Sequence, residues 1–148
     1  MVDVHSPATR SRNMRAIRAR NTRPELLMRK SLHALGLRYK LHDKNLPGIP
    51  DLVLPKYRAV VFVHGCFWHH HGCAYSKIPA TRAEFWAEKF ALNSDRDRRI
   101  CSALLESGWR VGIVLECALR GPSGDSTMAA KIVANWLRGK RSKLEIPA

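Results

Sequence analysis

The chain has 148 residues, 45% of them apolar, and a formal net charge of +14, with twenty-six Lys and Arg against twelve Asp and Glu. That length suits one domain with a real hydrophobic core, and the apolar share excludes a disordered chain. So large a positive excess repels itself unless a polyanion balances it, which makes nucleic acid the expected partner ahead of a membrane surface. The first thirty residues carry eight of the basic side chains against two acidic ones, and Arg138, Lys140, Arg141 and Lys143 form a second basic cluster. No apolar run approaches the roughly 20 residues of a membrane span, and residues 1–5 lack the apolar core of a secretory signal. A cytoplasmic protein is therefore expected, its four cysteines serving as ligands or bystanders and not as disulfides.

In chain order, residues 9–20 predict a short basic helix within an N-terminal arm over 1–21, with Met14 and Ile17 three apart on one side. Thr22-Arg-Pro-Glu25 is a capping box with a proline in the first turn. It opens a helix running to about Leu35, with Met28, Leu32 and Leu35 as its apolar stripe and Gly36 as its stop. Pro47-Gly-Ile-Pro50 is a turn-rich approach to a strand at about 51–54. Pro55-Lys-Tyr57 then reverses the chain into the unbroken apolar run 59–64, which suits a strand covered on both faces. Thr81-Arg-Ala-Glu84 reads as a second capping box, opening a helix to about Ser107, with a break near Asn93-Ser94 left open. Gly108 stops that helix, 109–115 forms the next strand and 126–138 the last helix.

Strand, helix, strand in this order implies a right-handed crossover and parallel pairing of 59–64 with 109–115. The expected fold class is α/β, a small mixed sheet flanked by helices in a single domain over 1–148. Hairpin pairing sets Asp51 opposite Val63 and His64, and parallel pairing brings Cys66 and Cys117 just past neighbouring strand ends. One sheet edge thus collects Asp51, His64, Cys66 and Cys117, and such edges gather ligands in open α/β sheets.

The segment from His64 to Cys73 packs two thiols, four imidazoles and two large aromatics together. Thiolate and imidazole are the preferred ligands of tetrahedral zinc, and Cys66, His71, Cys73 and Cys117 make a closed Cys₃His set for a structural ion. The spacing is not a common finger spacing, and a buried Cys117 beside surface thiols is the competing reading. Free thiols beside histidines in a loop are poorly tolerated otherwise, which favours zinc. Cys101, inside the long helix, reads as a small core residue.

Asp51 beside a strand-end carbonyl offers hard oxygen ligands for Mg²⁺, and a nearby imidazole could activate water against a phosphodiester. Taken alone, Asp51 after Pro50 reads better as a turn residue, and His69 is equally an alternative zinc ligand. Phe67 and Trp68 are balanced between loop packing and a wedge that unstacks a base step. Trp86 sits with Phe85 in the first turns of the long helix; Phe62, Phe85 and Trp109 are the expected aromatic core members.

Five stretches together carry a family likeness: Ala8-Thr-Arg-Ser-Arg-Asn-Met-Arg-Ala-Ile17, Leu46-Pro-Gly-Ile-Pro-Asp51, His64-Gly-Cys-Phe-Trp-His-His-His71, Pro79-Ala-Thr-Arg-Ala-Glu-Phe-Trp86, and Gly108-Trp-Arg-Val followed by Glu116-Cys-Ala-Leu-Arg-Gly121. The chain resembles the very short patch repair endonucleases from about residue 3 to 121, while 122–148, a C-terminal helix and tail, match less distinctively. The resemblance implies a restriction-endonuclease-like fold and a cut in one strand of duplex DNA, 5′ to the thymine of a T:G mismatch arising from 5-methylcytosine deamination. It implies Mg²⁺ held by Asp51 and the backbone carbonyl of Val63, with His69 as general base and His64 and Asp97 supporting the metal's water shell. It implies structural Zn²⁺ on Cys66, His71, Cys73 and Cys117. Phe67, Trp68 and Trp86 would intercalate from the major groove, and the arm bearing Met14 and Ile17 would approach from the minor groove. A monomer acting on double-stranded DNA, alongside other mismatch-repair proteins, is the implied setting.

One position departs from the family pattern: Val63 stands where threonine is usual. A carbonyl ligand survives that exchange and a hydroxyl contact does not. Phe62 and His64 likewise stand where the wider nuclease superfamily carries acidic and lysine side chains. Two further readings stay open. One is a zinc-stabilised DNA-binding module without catalysis, which leaves Asp51 and the spare histidines without work. The other is a site-specific nuclease that needs no mismatch.

Overall fold

The computed structural model describes residues 21–66, 81–120 and 124–147. Its centre is a five-stranded sheet in the order β1 (Lys40–Leu41), β2 (Leu52–Leu54), β3 (Ala59–His64), β4 (Arg110–Leu115), β5 (Lys143–Ile146). β1, β2 and β3 pair antiparallel, while β3–β4 and β4–β5 pair parallel. Among the described residues four α-helices accompany it: α1 (Arg23–Ala34), α2 (Ala83–Glu106), the single turn α3 (Glu116–Leu119) and α4 (Ser126–Arg138).

β3 reads as a continuous apolar run because both of its faces are covered. Val61 and Val63 face a cluster with Met28 and Leu32 of α1 and Val133, Trp136 and Leu137 of α4. Val60 and Phe62 face the opposite cluster with Cys101 and Leu104 of α2. The period-two alternation of a strand therefore separates one apolar stretch into two cores. The predicted hairpin, the parallel crossover through α2 and the core role of Cys101 are all found.

α1 starts where expected, with Thr22 Oγ1 accepting the Glu25 N–H at 3.3 Å. Its stripe is Met28 and Leu32, both fully buried; Leu35 is the C-cap and 38% exposed, and Leu37 beyond the Gly36 turn takes the next core place. α2 runs unbroken through Asn93-Ser94. The Thr81 capping box does not form: Arg82 occupies the cap in a left-handed conformation (φ 57°) with no side-chain cap bond. Its guanidinium lies 4.3 Å over the Phe85 ring instead. Phe85 is accordingly exposed and is not the core residue expected, whereas Phe62 is buried and Trp109 packs at the margin of its cluster.

The turn before β2 fixes where that strand begins. Gly48 has φ +74°, and a Cβ there would meet Ile100 Cγ2 of α2 at 2.6 Å. Only glycine lets the backbone approach α2 so closely in that conformation. The predicted helix over 9–20, and Met14 and Ile17 within it, lie outside the described residues.

Candidate active site

The β2–β3 register (Leu52 opposite Val61) places Asp51 just before β2, beside the end of β3. There the Val63 N–H donates to Asp51 Oδ2 at 2.7 Å. The N–H and C=O of a strand residue face the same neighbour, so the Val63 carbonyl lies on the Asp51 side of β3 as well. Asp51 is 6% exposed. Burial pushes its carboxyl up to about 7, against the Val63 hydrogen bond and the charge of Arg29, which both lower it.

That shift has a sign that can be measured. A carboxyl raised from 3.8 to about 7 contributes stability fully present below the lower value and lost as pH rises through the upper one. In metal-free protein, Asp51→Asn should therefore gain on wild type between pH 4 and 8, by on the order of 4 kcal/mol from the linkage alone. Parallel denaturant titrations of both proteins give the difference, and a constant offset across that range would contradict the burial argument.

Asp51 does not stand alone. Glu25 of α1, His42 just after β1 and Asp51 bring ligand atoms within 4.8 Å of one another, the grouping of this kind found among the described residues. Glu25 is fully buried. Its Oε1 meets His42 Nε2 at 3.0 Å, and its Oε2 takes the Asn21 N–H at 3.2 Å and a guanidinium N–H of Arg29. His42 Nε2 also lies 4.0 Å from Asp51 Oδ1. A carboxylate can be buried when charge and hydrogen bonds surround it in this way. Hard oxygens and one imidazole in such an arrangement can hold a divalent cation.

Sequence reasoning missed Glu25, Arg29 and His42. The capping box had accounted for Glu25, and its carboxylate does reach a backbone N–H near the helix start. A signal was nonetheless present. Glu25 lies three residues before Met28 and seven before Leu32, so it continues the apolar stripe, where a carboxylate needs a reason to be.

The other expected residues fall into place unevenly. His64 ends β3, half-buried, its ring 5.7 Å from that of Phe62. Cys66 is fully buried, and its Sγ accepts the Cys117 N–H at 3.4 Å. The two residues thus meet past neighbouring strand ends, backbone to thiol, as the parallel pairing requires. Asp97 lies on α2, as does Trp86, which stacks on Phe90 at 6.0 Å and meets Phe85 edge-on at 5.3 Å. Phe67, Trp68, His69, His71 and Cys73 lie outside the described residues.

The family model for the DNA mismatch endonuclease Vsr matches residues 2–75. Over 148 residues the chain is 49% identical to the DNA mismatch endonuclease Vsr of Escherichia coli strain K12, covering 99% of this chain and 94% of that one. It is 48% identical over 119 residues to the Type II nicking enzyme V.XorIIP of Xanthomonas oryzae pv. oryzae, covering 80% and 88%. To the Type II nicking enzyme V.NmeAIP of Neisseria meningitidis serogroup A it is 42% identical over 120 residues, covering 81% and 86%.

Proposed function

The chain belongs to the Vsr family of DNA mismatch endonucleases, and from that premise we propose that it nicks one strand of duplex DNA 5′ to the thymine of a T:G mismatch. Such mismatches arise when 5-methylcytosine deaminates, and the nick would start very short patch repair. The observation that carries the reading is the buried Asp51 carboxylate, fixed by Val63 at the strand end of a chain in this family.

Asp51 and the Val63 carbonyl fit Mg²⁺, which prefers hard oxygen donors. When bound, the ion would supply Lewis-acid polarisation of the scissile phosphate and charge stabilisation at the leaving oxygen. His69 takes the proton from the attacking water, the work of a neutral imidazole near pH 7. His64 and Asp97 orient water around the site. Burial of Asp51 and Glu25 excludes bulk water, so their charges act at short range in a medium of low dielectric constant.

Cys66, His71, Cys73 and Cys117 form the structural zinc set. The N–H of Cys117 on Cys66 Sγ suits it, since a backbone donor stabilises a sulfur that carries charge. Phe67, Trp68 and Trp86 wedge into the base stack, at a cost of a few kcal/mol that a mismatched step lowers. The basic arm with Met14 and Ile17 grips from the minor groove, and the net charge of +14 supplies phosphate contacts. Among the described residues no helix is long and apolar enough to cross a membrane; the proposed setting is the cytoplasm, as a monomer working with other mismatch-repair proteins.

Purified protein incubated with Mg²⁺ and paired T:G and T:A duplexes tests the reading. Nicking of the T:G duplex alone is expected. A T:G duplex that is bound and left intact would mark a DNA-binding module, and equal cutting of both would mark a nuclease indifferent to the mismatch.

A further inference from the structure

The three ligand atoms of Glu25, His42 and Asp51 come from a helix, a loop and a strand end, and one of them is an imidazole nitrogen. We infer that His42 is a direct protein ligand of the divalent cation, giving this enzyme a mixed nitrogen and oxygen site that takes Mn²⁺ in preference to Mg²⁺. The inference rests on the metal-dependent nuclease reading and deepens it.

The geometry around Glu25 separates its two oxygens by task. Oε2 is occupied by Arg29 and by the Asn21 N–H, while Oε1 points at His42 Nε2. That nitrogen is 3.0 Å from Glu25 Oε1, 4.0 Å from Asp51 Oδ1 and 3.4 Å from a guanidinium nitrogen of Arg29. The three ligand atoms lie within 4.8 Å of one another, close enough to share one cation. Two carboxylates, 0% and 6% exposed, thus stand together beside the Arg29 guanidinium and the His42 imidazole inside the fold.

The backbone is bent to bring His42 there. β1 ends at Leu41, His42 turns to φ +46°, and its N–H still reaches the Asp51 carbonyl at 3.3 Å. A non-glycine residue in that region carries strain, which persists where the surroundings hold the residue in place. Oxygen-only sites suit Mg²⁺, whereas imidazole adds affinity for first-row transition ions over Mg²⁺. A histidine that merely hydrogen-bonds to Glu25 would add none.

Mn²⁺ bound to the full-length protein gives a readout independent of activity. Pulsed electron paramagnetic resonance of the Mn²⁺ complex should show nitrogen modulation in wild type that disappears in His42→Gln. Titration should show Mn²⁺ affinity about tenfold weaker in His42→Gln and Mg²⁺ affinity within about twofold of wild type, as loss of one nitrogen ligand predicts. Modulation absent from wild type, or persisting in His42→Gln, overturns the inference, because the nitrogen is then missing or comes from another histidine. Crystals of wild type soaked in Mn²⁺ answer the same question should the variant fail to fold. An anomalous peak bonded to His42 Nε2 supports the assignment, and a peak on Asp51 that leaves His42 aside overturns it. Nicking of the T:G duplex separates the two levels: Mn²⁺ bound without His42 by an active nicking enzyme sinks the inference alone, whereas absent Mn²⁺ binding and absent nicking sink both.

Discussion

Asp51→Asn is expected to reduce nicking of a T:G duplex by about 10³-fold or more, or about 4 kcal/mol of transition-state stabilisation, while leaving DNA binding nearly unchanged. The exchange is close to isosteric and keeps an oxygen to accept the Val63 N–H, which lies 2.7 Å from the native carboxylate. What would disappear is the negative charge proposed to hold the cation. The fold should not suffer. Above pH 7 the variant should even be more stable, since it no longer forces a charged carboxylate into a buried site. Function and stability thus pull in opposite directions at one position, the trade-off expected of a residue retained for its chemistry. Single-turnover nicking measured beside a binding isotherm checks both parts. Nicking within tenfold of wild type would remove Asp51 from the active centre; lost binding would make it structural.

The second large effect concerns zinc. Cys66→Ala should yield a chain without bound zinc and without a cooperative unfolding transition. Cys66 is fully buried against the Cys117 N–H, so truncation without any metal in play would cost about 1–3 kcal/mol, as an ordinary core change does. Structural zinc in small zinc-folded peptides is worth about 10–16 kcal/mol, comparable to the whole stability of a domain at about 5–15 kcal/mol. The two magnitudes separate the explanations. Elemental analysis should find one zinc per wild-type chain and none in the variant. A metal-free Cys66→Ala protein that melts cooperatively within a few degrees of wild type would exclude the structural ion.

The pairings at this sheet edge were legible because they follow from chain direction. An apolar run at 59–64, a tight reversal before it and a helix after it leave few ways to arrange the ends. Asp51 meeting Val63, and Cys66 meeting Cys117, are consequences of that geometry. Glu25, Arg29 and His42 were not legible for two different reasons. The helix-start motif explained Glu25 locally, and a local explanation hid its place on the Met28–Leu32 stripe. His42 follows a strand of two residues, both exposed, too short to show any period. Phe85 and Trp86 illustrate a third limit. Adjacent aromatics in a helix point about 100° apart, and the left-handed turn at Arg82 sets its guanidinium over the Phe85 ring, which Lys89 approaches from one helical turn on. No pattern in the sequence announces that turn.

Strand cleavage directed by a T:G pair is the centre of the account. The most direct measurement uses one duplex with each strand labelled in turn, incubated with the wild-type enzyme in excess and Mg²⁺, and mapped at nucleotide resolution against its T:A counterpart. A single cut in the thymine strand, immediately 5′ to the mismatched base, with the T:A duplex intact is the predicted result. Cuts in both strands, cuts at positions unrelated to the mismatch, or equal cutting of the T:A duplex would contradict it.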